Sequence, residues 1–133
     1  MEGAGTVQAV SYGVIAGLVT ALLSCVAAAL VCTFSKDPDK LTAPLATVSC
    51  ILAHFVAGLV SAKKKSAAIP CGLCSGGALA LIFWIVSLCF SESYSYGMGA
   101  AVNLLIRISM VAVSLLGALL GVNTVMKKRR RRR

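Results

Sequence analysis

Two cysteines three residues apart, Cys71-Gly72-Leu73-Cys74, form the one C-x-x-C pair in this 133-residue chain. Such a pair does redox or metal chemistry when its thiolates sit in an accessible, electropositive place, and Lys63, Lys64 and Lys65 precede it closely. A structural zinc site needs four ligands, however, and no second pair at ligand spacing accompanies this one. The expectation is no metal and no cofactor. Cys71 and Cys74 remain a thiol pair of secondary interest, able to dimerise, and Cys25, Cys32, Cys50 and Cys89 are read as small packing residues.

His54 is the only histidine and stands within a long uncharged stretch. An ionisable group inside a membrane span suggests ion pairing or a proton relay by default. No acid shares a span with it, so the simpler expectation is a neutral imidazole bonded to a neighbouring helix. Arg107 is expected at the headgroup level, snorkelling, with Asn103 one turn before it on the same helical face. Asn123 is expected to cap or cross-link helices. The four acids, Glu2, Asp37, Asp39 and Glu92, all lie outside the apolar stretches. No Ser-His-Asp set, paired carboxylates, H-E-x-x-H or phosphate-binding loop occurs, so hydrolytic and phosphoryl-transfer chemistry lack their parts and the chain is expected not to be an enzyme.

The elements that carry these residues follow from where the charges fall. Hydrophobic residues make up 59% of the chain and charged ones 13%, against roughly 25% in an ordinary globular protein. Uncharged runs cover residues 3–35, 41–62, 66–91 and 108–126. Each meets or approaches the ~20 residues that a helix needs to cross a ~30 Å hydrocarbon core. The expected fold is an all-α membrane protein with helices over about 12–33, 42–62, 69–90 and 98–126, forming one domain over 1–126 with a basic tail over 127–133. Its lipid bilayer is the main solvent. The first run lacks the basic start of a secretion signal and exceeds an h-region in length, so it reads as a retained helix. Pro44 and Pro70 fall in the first turns of the second and third helices, where a missing N–H has no partner to lose. A polar turn is expected over 91–96, with Tyr94 and Tyr96 at the interface.

Lys and Arg counts set an expected orientation. The N-terminus carries none, the second connection three and the tail seven; on the other side the first connection carries two and the third none. Both termini are therefore expected in the cytoplasm, by the positive-inside rule. The tail, Lys127, Lys128, Arg129, Arg130, Arg131, Arg132 and Arg133, enforces this topology and is expected to lie on anionic lipid headgroups. No aromatic residues interleave with it, so nucleic acid is not an expected partner.

Glycines recur at four-residue spacing in three helices: Gly13 and Gly17, Gly72 and Gly76, Gly117 and Gly121. The second helix has Ser49, Ala53 and Ala57, with Gly58 beside them. Residues four apart share a helical face, so each ladder is a groove where another backbone can approach. The repeated order of glycine helix, turn, apolar helix and basic exit suggests two α-hairpins in a parallel repeat, related by an axis along the membrane normal.

The stretches YGVIAGLVTAL (12–22), HFVAGLVSAKK (54–64), GLCSGGAL (72–79) and GALLGVN (117–123) resemble the small four-helix membrane proteins of Gram-positive bacteria typified by YrzE. This resemblance implies a four-helix fold in the bacterial cytoplasmic membrane and carries no activity, substrate or catalytic residue. The C-x-x-C and the basic tail are not parts of that family's pattern. The function expected is that of a non-enzymatic membrane protein acting through helix–helix contact, as an accessory subunit or homo-oligomer. The alternative is a small channel, transporter or holin-like pore built around His54, Asn103 and the glycine grooves.

Overall fold

The structure, a computed structural model, describes residues 2–65, 68–89 and 100–130. All of the long elements are helices: α1 (Glu2–Thr33), α2 (Pro38–Lys65), α3 (Ala68–Cys89) and α4 (Ala100–Arg130). All four are long and apolar enough to cross a membrane. The turn at 91–96 with Tyr94 and Tyr96, and Arg131, Arg132 and Arg133 of the tail, lie outside the described residues. For Asn103, Lys128, Arg129 and Arg130 the description extends to the backbone alone.

Three helices run past the bounds expected from charge. α1 starts at Glu2 because no proline and no charge interrupts the chain before Lys36. α4 continues through Met126 to Arg130, since Lys and Arg are good helix formers and cations are favourable at a helix C-terminus. α2 begins at Pro38, which moves the proline argument. Pro38, not Pro44, takes the first position, where its fixed φ fits and its missing N–H has no partner to lose. Asp39 follows in the first turn, complementing the helix dipole. Pro44 then lies inside the helix and removes one i→i−4 bond in its exposed second turn. The α1–α2 connection is correspondingly short, Phe34 to Asp37, tied by Phe34 N–H to the Leu30 carbonyl (3.3 Å) and Ser35 N–H to the Cys32 carbonyl (3.2 Å).

α2 is the hub. It packs on α1, α3 and α4, and α1 and α4 do not pack on each other among the described residues. Each helix buries a narrow line of mostly small side chains: Ala9, Gly13 and Gly17 on α1; Ser49, Ala53, Ala57, Ser61 and neighbours on α2; Cys71, Gly72, Ser75 and Gly76, with the larger Leu79, on α3; Ser114, Gly117, Ala118 and Gly121 on α4. These positions are three or four apart, the spacing of one helical face. The glycines allow backbone to meet backbone. A Cβ at Gly13 would lie 2.6 Å from the Ala57 carbonyl oxygen, and one at Gly121 would lie 2.6 Å from that of Leu59. At Gly58 it would collide with the Ser114 carbonyl, and at Gly117 with the Phe55 carbonyl. This last pair is reciprocal: Gly58 and Gly117 are 59 residues apart, as are Phe55 and Ser114. Each hairpin thus contributes one glycine and one carbonyl to the same crossing.

Large apolar side chains point the other way. Val7, Ile15, Leu22, Leu23, Val26, Leu30, Ile85, Leu105 and Leu116 are each more than half exposed. The largest fully buried side chains are Leu79 and His54. In water, leaving these side chains exposed would forgo about 1.5–3 kcal/mol each, which no core made of alanine, serine and glycine could offset. In hydrocarbon that term vanishes and close packing takes over. The chain is a multi-pass membrane protein.

Candidate functional site: the buried polar core

The helix register that buries the glycines also buries hydroxyls. Ser61 on α2, Ser75 on α3 and Ser114 on α4 are all fully inaccessible and meet where the three helices converge. Ser114 donates to the Gly72 carbonyl across the α3–α4 seam at 3.1 Å. Ser75 donates to the Cys71 carbonyl on its own helix at 2.6 Å, and its oxygen lies 3.4 Å from the Ser114 hydroxyl. The Ser61 hydroxyl lies 3.2 Å from Ser75 and within reach of the Gly58 and Cys71 carbonyls, at 3.0 and 3.3 Å. A serine has one hydrogen to give, so each hydroxyl satisfies one carbonyl or neighbour at a time while its lone pairs accept. In a medium without water this set is a clasp joining three helices, and each unmade bond would cost the full desolvation of its group.

His54 lies two turns up α2 from Ser61, 2% exposed. Its Nδ1 is 2.8 Å from the Cys50 carbonyl oxygen. A carbonyl only accepts, so Nδ1 carries the hydrogen and Nε2 presents a lone pair. That Nε2 is buried and meets no hydrogen-bond partner among the described residues. The ring rests against Phe83 of α3, with centroids 5.6 Å apart and planes tilted by 56°, within the contact distance of paired rings. Fully buried Leu79 lies one turn before Phe83 on α3, between the levels of Ser75 and His54.

The other candidates disperse. Cys71 is buried in the seam and Cys74 is exposed, so the two residues of the C-x-x-C look different ways. Among the described residues no group of three or more His, Cys, Asp or Glu comes together in a way that could hold a metal. Arg107 is partly buried near the start of the span Leu105–Lys127, and Asn123 is exposed on α4. Gly72 faces Leu115 and Ala118, and Gly76 faces Ser114, so the α3 ladder is taken up by α4. Gly17 faces Leu79, Ala53 and Ala57. The three serines escaped the sequence reading, although their register betrays them: Ser75 is beside Gly76, Ser61 three after Gly58 and Ser114 three before Gly117.

The two ends of the bundle differ in charge. At one end Lys63, Lys64 and Lys127 are exposed; at the other, Lys36, Asp37, Asp39 and Lys40 nearly balance, with Lys40 Nζ 3.3 Å from an Asp37 carboxylate oxygen. No curated protein and no solved structure matches the chain. Residues 6–121, which take in all four helices and every buried position above, match the family described as "Protein of unknown function (DUF3792)", and the chain belongs to that family.

Proposed function

We propose that this chain is a non-enzymatic membrane protein that works by holding helix to helix, as an accessory subunit of a membrane assembly or as a homo-oligomer. Its setting on this reading is the bacterial cytoplasmic membrane, as the resemblance to the YrzE-type proteins implies, with both termini in the cytoplasm by the lysine and arginine counts and the basic tail on anionic headgroups. One observation carries the reading. The hydroxyls of Ser61, Ser75 and Ser114 spend themselves on one another and on carbonyls of their own and neighbouring helices, which leaves them as joints and not as reactive groups. The outward surface supports it: beyond Gly17 no described residue of α1 is buried, and Val19, Leu22, Leu23, Val26 and Leu30 form an apolar flank. Photo-crosslinkers at Val19 and Val26 in native membranes should give a discrete protein adduct. Lipid adducts alone, at those positions and at outward positions of the other three helices, would refute the reading.

A second reading, a small pore or transporter, draws support from His54, whose buried Nε2 has no hydrogen-bond partner among the described residues and lies in mid-span. Proton or ion flux in liposomes that disappears in His54→Ala would favour it. Flux absent at every protein density would remove it.

A further inference from the structure

At the lysine-rich end of the bundle a groove of about 280 Å³ opens between the start of α1 and the end of α2, lined by Gly5, Gln8, Ala9, Tyr12 and Lys64. We propose that this groove binds the phosphate of an anionic phospholipid headgroup, gripped by the Lys64 ammonium. Neither the tail nor the helix–helix reading requires such a site.

Each wall contributes something that such a ligand uses. Lys64 Nζ sits 4.5 Å from the centre of the Tyr12 ring, held over the aromatic face by a cation–π contact. That contact restrains a long flexible side chain but leaves its N–H donors for an oxygen acceptor. Among the described residues the only ion pair joins Lys40 to Asp37, and both Asp37 and Asp39 lie at the opposite end of the bundle. Lys64 is therefore a positioned cation with a ring beneath it and no described carboxylate to neutralise it. Gln8 adds amide donors on the same side, buried Ala9 forms the floor, and a Cβ at Gly5 would meet no described atom within 4 Å. The groove is smaller than a drug-sized pocket, which starts at about 300 Å³, and it suits a phosphodiester better than a bulky solute.

Its position selects the lipid as the source of that phosphate. Ala9 and Ala62 belong to the apolar cluster on the inner side of the groove, and Lys64, which lines it, and Lys63 beside it are exposed at the end of α2. Such a change from apolar to cationic within one turn marks the boundary where headgroup phosphates stand. A lipid docked here runs its acyl chains past Ile15, the exposed apolar residue one turn beyond Tyr12 on α1, short of the flank from Val19 onward.

Native mass spectrometry of the full chain in detergent, with phosphatidylglycerol and phosphatidylcholine of identical acyl chains, tests this. Lys64→Gln should weaken phosphatidylglycerol about fivefold, the loss of one lysine at a membrane surface, and leave phosphatidylcholine unchanged. Lys64→Arg should retain the preference, and Lys36→Gln at the other end should not alter it. Gly5→Leu, which adds bulk at the lining of the groove where a Cβ meets no described atom within 4 Å, should also lose it while keeping the helical circular dichroism of the parent. Glu2 begins the same helix, and Glu2→Gln should preserve or strengthen the preference. The proposal is overturned if Lys64→Gln has no effect, if Lys36→Gln has the same effect, if Gly5→Leu binds normally, if Glu2→Gln abolishes the preference, or if millimolar inorganic phosphate displaces the lipid and so marks a free-phosphate site.

Discussion

Gly117→Ala is the sharpest test of the packing. The added methyl would collide with the Phe55 carbonyl oxygen, and it would also lie 3.0 Å from that carbonyl carbon and 3.2 Å from the Phe55 Cα. All three are backbone atoms of α2, which cannot rotate aside as a side chain would. α4 must withdraw by about 1 Å, a gap that forfeits a quarter to a half of the attraction of each affected atom pair. At ~0.1–0.2 kcal/mol per pair and roughly 30 pairs along the seam, the loss is about 0.8–3 kcal/mol, comparable with the range of about 1–3 kcal/mol for overpacked cores. Replacing a helical glycine also has an opposing benefit of up to about 1 kcal/mol. Gly77→Ala isolates the steric part: a side chain there meets nothing within 4 Å, so it receives the benefit alone. Unfolding by dodecyl sulfate in mixed micelles, followed by circular dichroism and Trp84 fluorescence, should place Gly117→Ala about 2 kcal/mol below Gly77→Ala. Equal stabilities for the two variants would mean that α2 and α4 do not meet backbone to backbone, and the bundle described above would be wrong.

Ser114→Ala should cost about 0.6–1.7 kcal/mol in the same titration, the range for interhelical hydrogen bonds in membranes, while Ser109→Ala, whose hydroxyl bonds only its own helix at the Ile106 carbonyl, should be near neutral. His54→Ala should lose about 2–4 kcal/mol by emptying a buried site, and His54→Leu should recover more than half of that because Nε2 has no partner to lose; a leucine as harmful as alanine would show that Nε2 is engaged in the membrane. For orientation, an impermeant maleimide on intact cells should label Ser35→Cys and spare Lys127→Cys in a background without native cysteines, and the reverse pattern would overturn the cytoplasmic placement of the termini.

Charge spacing made the four helices legible, because in hydrocarbon an uncharged run long enough to span has no stable alternative to a helix. Helix ends were less legible. Charge marks where a chain leaves the hydrocarbon, not where hydrogen bonding stops, so α4 carries its lysines and arginines to Arg130 as helix and α2 reaches back to Pro38. The glycine ladders pointed to seams, and the structure fills them within the chain: Gly13 and Gly17 face α2 and α3, Gly72 and Gly76 face α4, and Gly117 and Gly121 face α2. Which seam meets which could not be read, since four-residue spacing names a face and not its partner. Ser61, Ser75 and Ser114 stayed hidden for a related reason: serine is equally at home bonded to its own helix, as Ser11, Ser24 and Ser49 are here. The partnership of Tyr12 with Lys64 spans 52 positions of sequence and depends on the antiparallel register of α1 and α2, which no local pattern encodes.

The reciprocal joint between Gly58 and Gly117 implies an order of assembly. The hairpin of α1 and α2 can close on itself as soon as it is inserted, but Gly58 then faces lipid until α4 arrives with its carbonyl. Because the halves of the joint are alike, a second copy of the first hairpin offers a surface resembling the one awaited. A chain halted before α3 should therefore pair with a second copy through Gly58, whereas insertion of α3 and α4 from the same chain fills that position from within.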